Sequence, residues 1–483
     1  MTEPLTASPV DTLPASTTRV EQVMANIRAR IESRSLCAGK RLPSIRAQAE
    51  TLGVSRSTVV EAYARLVAAG LIESRPGSGF YVGRQLMPLN LSEAEQGLSP
   101  ESDPIWLTRQ SLLADSASLK PGCGWLPESW MPEQEIRRAL RALSRRPLAP
   151  LTAYGTPQGS LELRQLLSYR LGERGVHAQP SQLMLTESGT QAVDLLCRFL
   201  LEPGDAVLVD DPCYFSFQAL LRAHRARVVS VPYTPKGPDT AAMEQCLAEH
   251  APRLYITNAS LHNPTGASLS LETAHRVLLL AERYNLSIIE DDVFADFENH
   301  AGPRLAALDG LNRVIYVGSF SKTLSASVRL GHIATRQDWI GQLVDLKLAT
   351  AFESGHFSAE LLHTLLSSGS YQRHMNGVRG RLADAMGSTI SRLQTLGLRI
   401  WLQPRSGMFL WCELPDGIDA SALSQYALHQ HRMVLAPGNA FSLSQQASSF
   451  LRFNVAQSLD PAIYTILQRS MDVVGKTQRL RDE

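Results

Sequence analysis

Over residues 18–84 the apolar positions recur with helical spacing. Val20, Val23, Met24, Ile27 and Ile31 make one stripe, predicting an amphipathic helix over Val20–Ser33. Gly39 and Pro43 mark a loop, and Ser44 is placed to cap a second helix, Ile45–Leu52, which Gly53 ends. Ser55 caps a third helix from Arg56 to Ala69, stopped by Gly70. Its Val59, Tyr63, Leu66, Val67 and Gly70 share a face assigned to the core. The apolar runs Leu71–Ser74 and Phe80–Val82 flank Arg75-Pro76-Gly77-Ser78-Gly79, the pattern of a hairpin with a basic tip. Two helices about a tight Gly-containing turn, followed by a hairpin, predict a winged helix-turn-helix over 18–84.

Beyond it the pattern changes twice. Residues 85–104 are polar and aperiodic, predicting a flexible linker. From about Leu183 short apolar runs alternate with helical stretches. The expected strands are Val207–Val209, Val228–Val231, Leu254–Thr257, Leu286–Ile289 and Val314–Val317, with helices such as Gln191–Leu201 and Leu271–Tyr284 between them. That order predicts an α/β body with a mostly parallel sheet, its ligands gathered at the strands' carboxyl ends. The body covers 105–483. Its large part spans about 150–345, and its smaller part comprises 105–149 with 346–483, including the segment Gly124–Pro127 with Glu128–Ser144 and a strand in Gly407–Cys412.

Composition narrows the class. Among 483 residues, 44% are hydrophobic and 19% charged, the balance of a water-soluble multidomain protein. Residues 1–17 are rich in Pro, Ser and Thr without an apolar core, so a disordered tail is expected rather than a signal sequence. The six cysteines are scattered without a C-x-x-C pair, and no apolar run approaches the ~18 residues of a membrane span. A cytoplasmic protein with reduced thiols and no bound metal is the expectation. The net charge of +1 hides an asymmetry: Arg19 to Arg84 holds eleven Lys or Arg against five Asp or Glu. A basic head on a slightly acidic body suits a polyanionic partner.

In that head, Arg56, Ser57 and Thr58 occupy the first turn of the third helix, where a recognition helix meets base edges, with Arg65 further along. Arg75, Gly77 and Ser78 at the hairpin tip, with Lys40, Arg41 and Ser44, are placed for phosphates or the minor groove. The run Gly39-Lys40-Arg41-Leu42-Pro43-Ser44, Gly53-Val54-Ser55-Arg56-Ser57-Thr58-Val59, Tyr63, Leu66, Gly70-Leu71-Ile72 and Gly77-Ser78-Gly79 resembles the winged helix-turn-helix of GntR-type bacterial repressors. Double-stranded DNA is the implied partner.

The body's chemistry centres on Ser319-Phe320-Ser321-Lys322, directly after Val314–Val317, followed by Arg329 and Gly331. A lysine amine there can hold an aldehyde as a Schiff base while Ser319 and Arg329 hold a phosphate. Upstream, Thr186-Glu187-Ser188-Gly189-Thr190-Gln191 opens a helix whose free N–H groups suit a phosphate. Asp211-Pro212-Cys213-Tyr214 offers an aromatic ring, His262-Asn263-Pro264-Thr265-Gly266 an amide, and Glu290-Asp291-Asp292 carboxylates after a strand. Any one of these is more often a turn or a solvated pair; their order is what counts. The set resembles the fold-type I pyridoxal-phosphate enzymes of the aspartate aminotransferase superfamily, from about Trp125 to Ala456.

The resemblance implies pyridoxal 5'-phosphate bound as a Schiff base to Lys322, Asp291 on the pyridine nitrogen, Asn263 on the ring oxygen and Tyr214 stacked on the ring. Ser188, Gly189, Thr190, Ser319, Ser321 and Arg329 would hold the phosphate, joined by Tyr154 across a dimer interface. Arg452, in Leu451-Arg452-Phe453-Asn454, matches the arginine that grips an amino-acid carboxylate. One position departs from the pattern: Phe294 stands where aminotransferases commonly carry a tyrosine that donates to the ring oxygen, which puts turnover in doubt and not the cofactor.

Head, linker and body together resemble the MocR subfamily of GntR regulators. That resemblance implies a homodimeric, pyridoxal-phosphate-dependent transcription factor whose body senses an amine, an amino acid or a B6 vitamer. Two other readings remain. One is a working aminotransferase with an accessory head; the other is a dimerisation scaffold without a cofactor.

Overall fold

The structure is a computed structural model that describes residues 18–32, 36, 39–83, 104–115, 117–145, 152–353 and 355–482. The expected tail, the linker up to residue 103, Cys37 and Arg84 lie outside these residues. The chain divides into two compact units at residues 90 and 91.

The first unit holds helices α1 (Arg19–Glu32), α2 (Ile45–Leu52) and α3 (Arg56–Ala68), then strands β1 (Ile72–Arg75) and β2 (Gly79–Val82). Ser44 caps α2 by accepting from the Ala47 N–H, and Gly53 ends it at φ 63°. Ser55 caps α3 by accepting from the Thr58 N–H. Such a cap contributes about 1 kcal/mol. Val23 and Ile27 of α1, Val59, Ala62, Tyr63 and Leu66 of α3, and Ile72 and Val82 of the hairpin form one core. Two residues assigned to that face are not in it. Val67 lies at the edge of the stripe and is 36% exposed, and Gly70 falls beyond the last turn and is also exposed. Ala62 completes the i, i+3, i+4, i+7 set instead. Residues 39–42 pair with β2 through Gly39 N–H to Val82, Leu42 N–H to Phe80 and Val82 N–H to Lys40, so Lys40 and Arg41 lie beside the wing.

The second unit is built on an eight-stranded sheet. Its strands are β3 (Leu183–Thr186), β4 (Ala206–Asp211), β5 (Arg227–Thr234), β6 (Gly237–Pro238), β7 (Leu254–Thr257), β8 (Ser287–Asp291), β9 (Val314–Ser319) and β10 (Gly331–Ala334). Their order is β3-β10-β9-β8-β7-β4-β5-β6. From β9 to β5 every pairing is parallel. β10 runs antiparallel to both β3 and β9. Neither β3 nor β10 was among the expected strands; each is four residues long and lies at the antiparallel end of the sheet.

A second, antiparallel sheet has the order β11 (Arg399–Ile400), β12 (Phe409–Glu413), β14 (Phe450–Asn454), β13 (Ala436–Pro437). The segment around Leu119–Trp125 lies along it: the Gly122 N–H donates to Val434, and the Asn454 amide donates to the Cys123 and Trp125 carbonyls. Two expected boundaries shift, and one expected segment gains its elements. Pro104 begins a helix, Pro104–Leu113, rather than ending the linker. The Glu128–Ser144 stretch splits into a 3-10 turn, Glu128–Trp130, and a helix, Glu133–Leu143, because Pro132 interrupts it. The helix Gln337–Ala351 runs through residue 345, with Ile340 and Leu343 packed in the core of the large sheet. No helix among the described residues is long and apolar enough to cross a membrane, and no His/Cys/Asp/Glu group among them is arranged for a metal.

β10 places Gly331 opposite both Thr186 and Ser319. A Cβ at Gly331 would stand 2.5 Å from the Ser188 carbonyl carbon and 2.7 Å from the Gly189 nitrogen. Both are backbone atoms with nowhere to yield. Gly331→Ala should therefore destabilise the body by about 1–3 kcal/mol, read as a lowered urea midpoint.

Candidate functional site

The carboxyl ends of the parallel strands converge on one cavity of about 590 Å³ of empty space, part of it open to solvent. β8 delivers Asp291, the turn after β9 delivers Lys322, the loop after β7 delivers Asn258 and Asn263, and the loop after β4 delivers Tyr214. β14 of the second sheet adds Arg452. Five of the expected residues thus meet in one space, contributed by four strand ends and a second sheet.

Alternation along β8 sorts the acidic triplet. Glu290 accepts from the Leu305 and Ala306 N–H groups at 2.8 Å, capping the short helix Leu305–Asp309. Asp292 pairs with the buried Arg304 at 3.0 Å and accepts from the Tyr316 hydroxyl at 2.9 Å. Asp291 alone lines the cavity, and its one recorded donor is the Val293 N–H at 3.4 Å. Burial pushes its carboxyl up to about 7, the Val293 amide opposing and Asp292 adding to the rise. Such an acid is under-compensated and suited to a cationic partner. Lys322 is in the converse state: burial pushes its amine down to about 8, with the Arg452 charge adding to the shift and Asp291 opposing it.

Arg452 is 2% exposed. Its Nη1 donates to Asn263 Oδ1 at 2.8 Å and its Nη2 to the Gly122 carbonyl at 2.6 Å. Its guanidinium lies 4.6 Å from the Phe409 ring centre and 4.8 Å from that of Phe441. Nε is buried without a partner, and burial lowers the pKa to about 10. A guanidinium with two of its five N–H donors engaged and no carboxylate beside it can take an anionic oxygen.

Along the β3–β10–β9 edge, Ser188 precedes Gly189 at the start of the helix Gly189–Leu200. A Cβ at Gly189 would lie 3.4 Å from that of Ser319 and 3.2 Å from Val293 Cγ1, so the two segments are packed closely. The Ser188 hydroxyl caps its own helix by accepting from the Gln191 N–H at 3.1 Å. Ser319 donates to the Ser321 hydroxyl at 3.1 Å or to the Leu330 carbonyl at 3.2 Å. Thr190 and Arg329 are exposed. Tyr154 does not line the cavity of its own chain: it is 79% exposed, edge-on to Phe352 at 5.2 Å.

Phe294 forms part of the cavity wall, 4% exposed and edge-on to Phe409 at 5.4 Å, so no hydroxyl is supplied from that position. Sequence reasoning overlooked Asn258, whose Nδ2 donates to the Asp291 carbonyl and whose Oδ1 accepts from the Asn263 N–H at 3.0 Å. Its signal was present, a polar residue directly after an apolar strand. The wall formed by Leu107, Thr108 and Ser111 carried no comparable signal.

In the head, Arg56 and Ser57 are exposed at the start of α3. The Ser57 and Thr58 hydroxyls each hydrogen-bond Ser55 Oγ at 2.8 Å. Arg65 pairs with Glu61 at 2.8 Å. In the wing, Arg75 lies 4.3 Å over the Tyr81 ring, and Ser78 bonds the Tyr81 hydroxyl at 2.6 Å. The Arg41 guanidinium lies against Gly79, 3.5 Å from where a Cβ would stand. Gly77 turns the tip at φ 72°. Lys40, Arg41, Ser44, Arg75 and Gly77 are all exposed.

The body can hold a group that combines an aldehyde for Lys322, a protonated ring nitrogen for Asp291 and a phosphate for the Ser188–Thr190 helix start. Burial supports the fit, because it shifts Asp291 and Lys322 each toward the neutral form by more than their mutual attraction offsets.

The model of aminotransferase class I and II matches residues 130–469, and the model of bacterial regulatory proteins of the gntR family matches residues 19–82. The HTH-type transcriptional regulator YdcR of Escherichia coli is 30% identical over 91% of this chain and 95% of its own. The HTH-type transcriptional regulator NorG of Staphylococcus aureus is 25% identical over 88% and 98%. Among solved structures, the α-aminoadipate aminotransferase LysN of Thermus thermophilus, complexed with N-(5'-phosphopyridoxyl)-L-leucine, superposes with a TM-score of 0.70. It is 26% identical and covers 77% of this chain and 95% of its own.

Burial holds Lys322 below the 10.5 of an unfolded lysine. The protonated amine is therefore disfavoured in the fold, a penalty absent above pH 10.5 and complete below about 8. Lys322→Met should raise the urea midpoint of the cofactor-free protein near neutral pH, and the two curves should converge as pH rises through that window.

Proposed function

Because the chain belongs to the aminotransferase class I and II family and carries a GntR-family helix-turn-helix head, we propose that it is a transcriptional regulator of the MocR subfamily that binds pyridoxal 5'-phosphate and senses an amine, an amino acid or a B6 vitamer. The observation that carries the reading is that Lys322, Asp291 and Arg452 share one cavity in a chain that also has a DNA-binding head. Bound there, pyridoxal phosphate supplies an aldehyde for amines and a ring that withdraws electrons.

The chain's own groups divide the remaining work. Lys322 anchors the aldehyde carbon, and its lowered pKa leaves much of the amine neutral near pH 8. Asp291 holds the proton on the ring nitrogen, and a cation there offsets the burial that raises its pKa. Asn263 turns its Oδ1 to Arg452, which leaves its amide hydrogens for the ring oxygen. Tyr214 covers the ring. Ser188, Gly189, Thr190, Ser319, Ser321 and Arg329 hold the phosphate, with Tyr154 of a second copy reaching it in a homodimer. The exposure of Tyr154 on its own chain supports that role. Arg452 receives the effector's carboxylate. A cytoplasmic protein is consistent with the DNA-binding head.

In the head, Arg56, Ser57, Thr58 and Arg65 read the operator's major groove, while Lys40, Arg41, Ser44, Arg75, Gly77 and Ser78 contact its phosphates. An effector switches the protein only by binding two states of it with different affinity. Operator affinity that stays equal for cofactor-free, loaded and effector-bound protein would sink the sensing mechanism.

The second reading, an active aminotransferase with an accessory head, is favoured by the near-complete site and by the LysN likeness. Phe294 opposes it. Repeated turnover of an amino acid with a keto acid would establish it. A scaffold without cofactor is opposed by the under-compensated Asp291 and Lys322 in one cavity.

Two outcomes are expected. The yellow absorbance of protein loaded with pyridoxal phosphate should be lost or displaced in Lys322→Ala. Arg75→Ala should weaken operator and non-operator DNA alike and flatten the salt dependence, whereas Arg56→Ala should cost about 1–3 kcal/mol at selected base pairs only. Both DNA effects are read by binding isotherms at several salt concentrations.

A further inference from the structure

Once Lys322, Asp291, Asn263 and the β3–β9 edge are assigned to the cofactor, one wall of the cavity is left without a role. It is the helix Pro104–Leu113, which presents Leu107, Thr108 and Ser111 to the space that also holds Lys322 and Arg452. Leu107 is 1% exposed and packs in one cluster with Phe215, Trp411 and Phe441. Phe441 is one of the two rings against the Arg452 guanidinium, so helix and arginine share an aromatic floor. Ser111 is buried and lines the cavity with Gly124. The helix is therefore a fixed part of the pocket.

The rest of this wall is Trp125, Phe215 and Phe294. Among the described lining residues the charged groups are Asp291, Lys322 and Arg452. With the first two engaged by the cofactor and the third by a carboxylate, none of these described charges remains for a second carboxylate or a second amine. A ligand carrying either would bury an unpaired charge, which is costly.

We infer that Thr108, flanked by Leu107 and Ser111, is a specificity-determining residue of this pocket, and that the effector is an amino acid with one carboxylate, held at Arg452, and an uncharged, largely apolar side chain that Thr108 faces. The inference rests on the proposed reading of the cavity as an amino-acid site. Pro104–Leu113 is the first described element of the body after β2 ends at Val82.

The test uses the full-length protein loaded with pyridoxal phosphate, its absorbance titrated with glycine, L-leucine, L-methionine, L-glutamate and L-lysine. Leucine and methionine should act at concentrations at least about tenfold below glutamate and lysine. Thr108→Leu, which fills the space beside the side chain, should lower the leucine-over-glycine preference about tenfold; absorbance before titration reports that the variant has folded and loaded. Hydrogen exchange over residues 104–113 should slow with leucine and not with glycine. An unchanged leucine-over-glycine preference, a preference for glutamate or lysine, or equal exchange with both ligands overturns the inference while leaving the amino-acid site standing. Arg452→Ala separates the two levels: if it responds like the wild type, the amino-acid-site reading fails first. If no member of the panel moves the absorbance of the wild type, both readings fall together.

Discussion

The body is organised around a guanidinium with no carboxylate beside it. Arg452 is buried on β14 of the small sheet, donates to Asn263 from a loop of the large sheet and to Gly122 from the segment preceding both, and lies against the rings of Phe409 and Phe441. A charge this deep is tolerable only where its donors are used and its faces are covered by polarisable rings. Meeting those demands draws three distant stretches of chain together, and the cavity is the space they enclose. Nε is buried without a partner.

The same economy governs the acids. Glu290, Asp291 and Asp292 are consecutive and buried, yet two are satisfied structurally, one by a helix start and one by Arg304 and Tyr316. Only Asp291 is left under-compensated. Its neighbours hold the strand end rigid, and rigidity lets a single carboxyl face the cavity at a defined place. Lys322 opposes it with an amine whose pKa burial lowers to about 8, and each of the two charges partly offsets the other's burial. A ligand that is both anionic and basic matches that pattern.

The head follows a different logic. Its core is a single small cluster, and its basic residues stay outside, tied to neighbours by light contacts: Arg75 over Tyr81, Arg41 against Gly79, Arg65 beside Glu61. Exposed pairs of this kind add little to stability. They keep the side chains ordered and available, as phosphate contacts require.

The sequence by itself determined whatever depends on neighbours a few residues apart. The three head helices, their serine caps, the hairpin, the parallel core strands and the polar residues at their carboxyl ends are local consequences of periodicity and of Ser, Gly and Pro chemistry. The tertiary structure decided what depends on distant segments. β10 is four residues long, and it is a strand because β3 and β9 leave a gap that it fills; only then does Gly331 lie against Ser188. Val67 is apolar and helical yet exposed, since it lies at the edge of the stripe that Val59, Ala62, Tyr63 and Leu66 form. Asn258 and the wall of Leu107, Thr108 and Ser111 gain their meaning from Asp291 and Lys322, which lie far along the chain. Which of three consecutive acids faces the cavity was likewise settled by the partners that Arg304 and the helix Leu305–Asp309 bring to the other two.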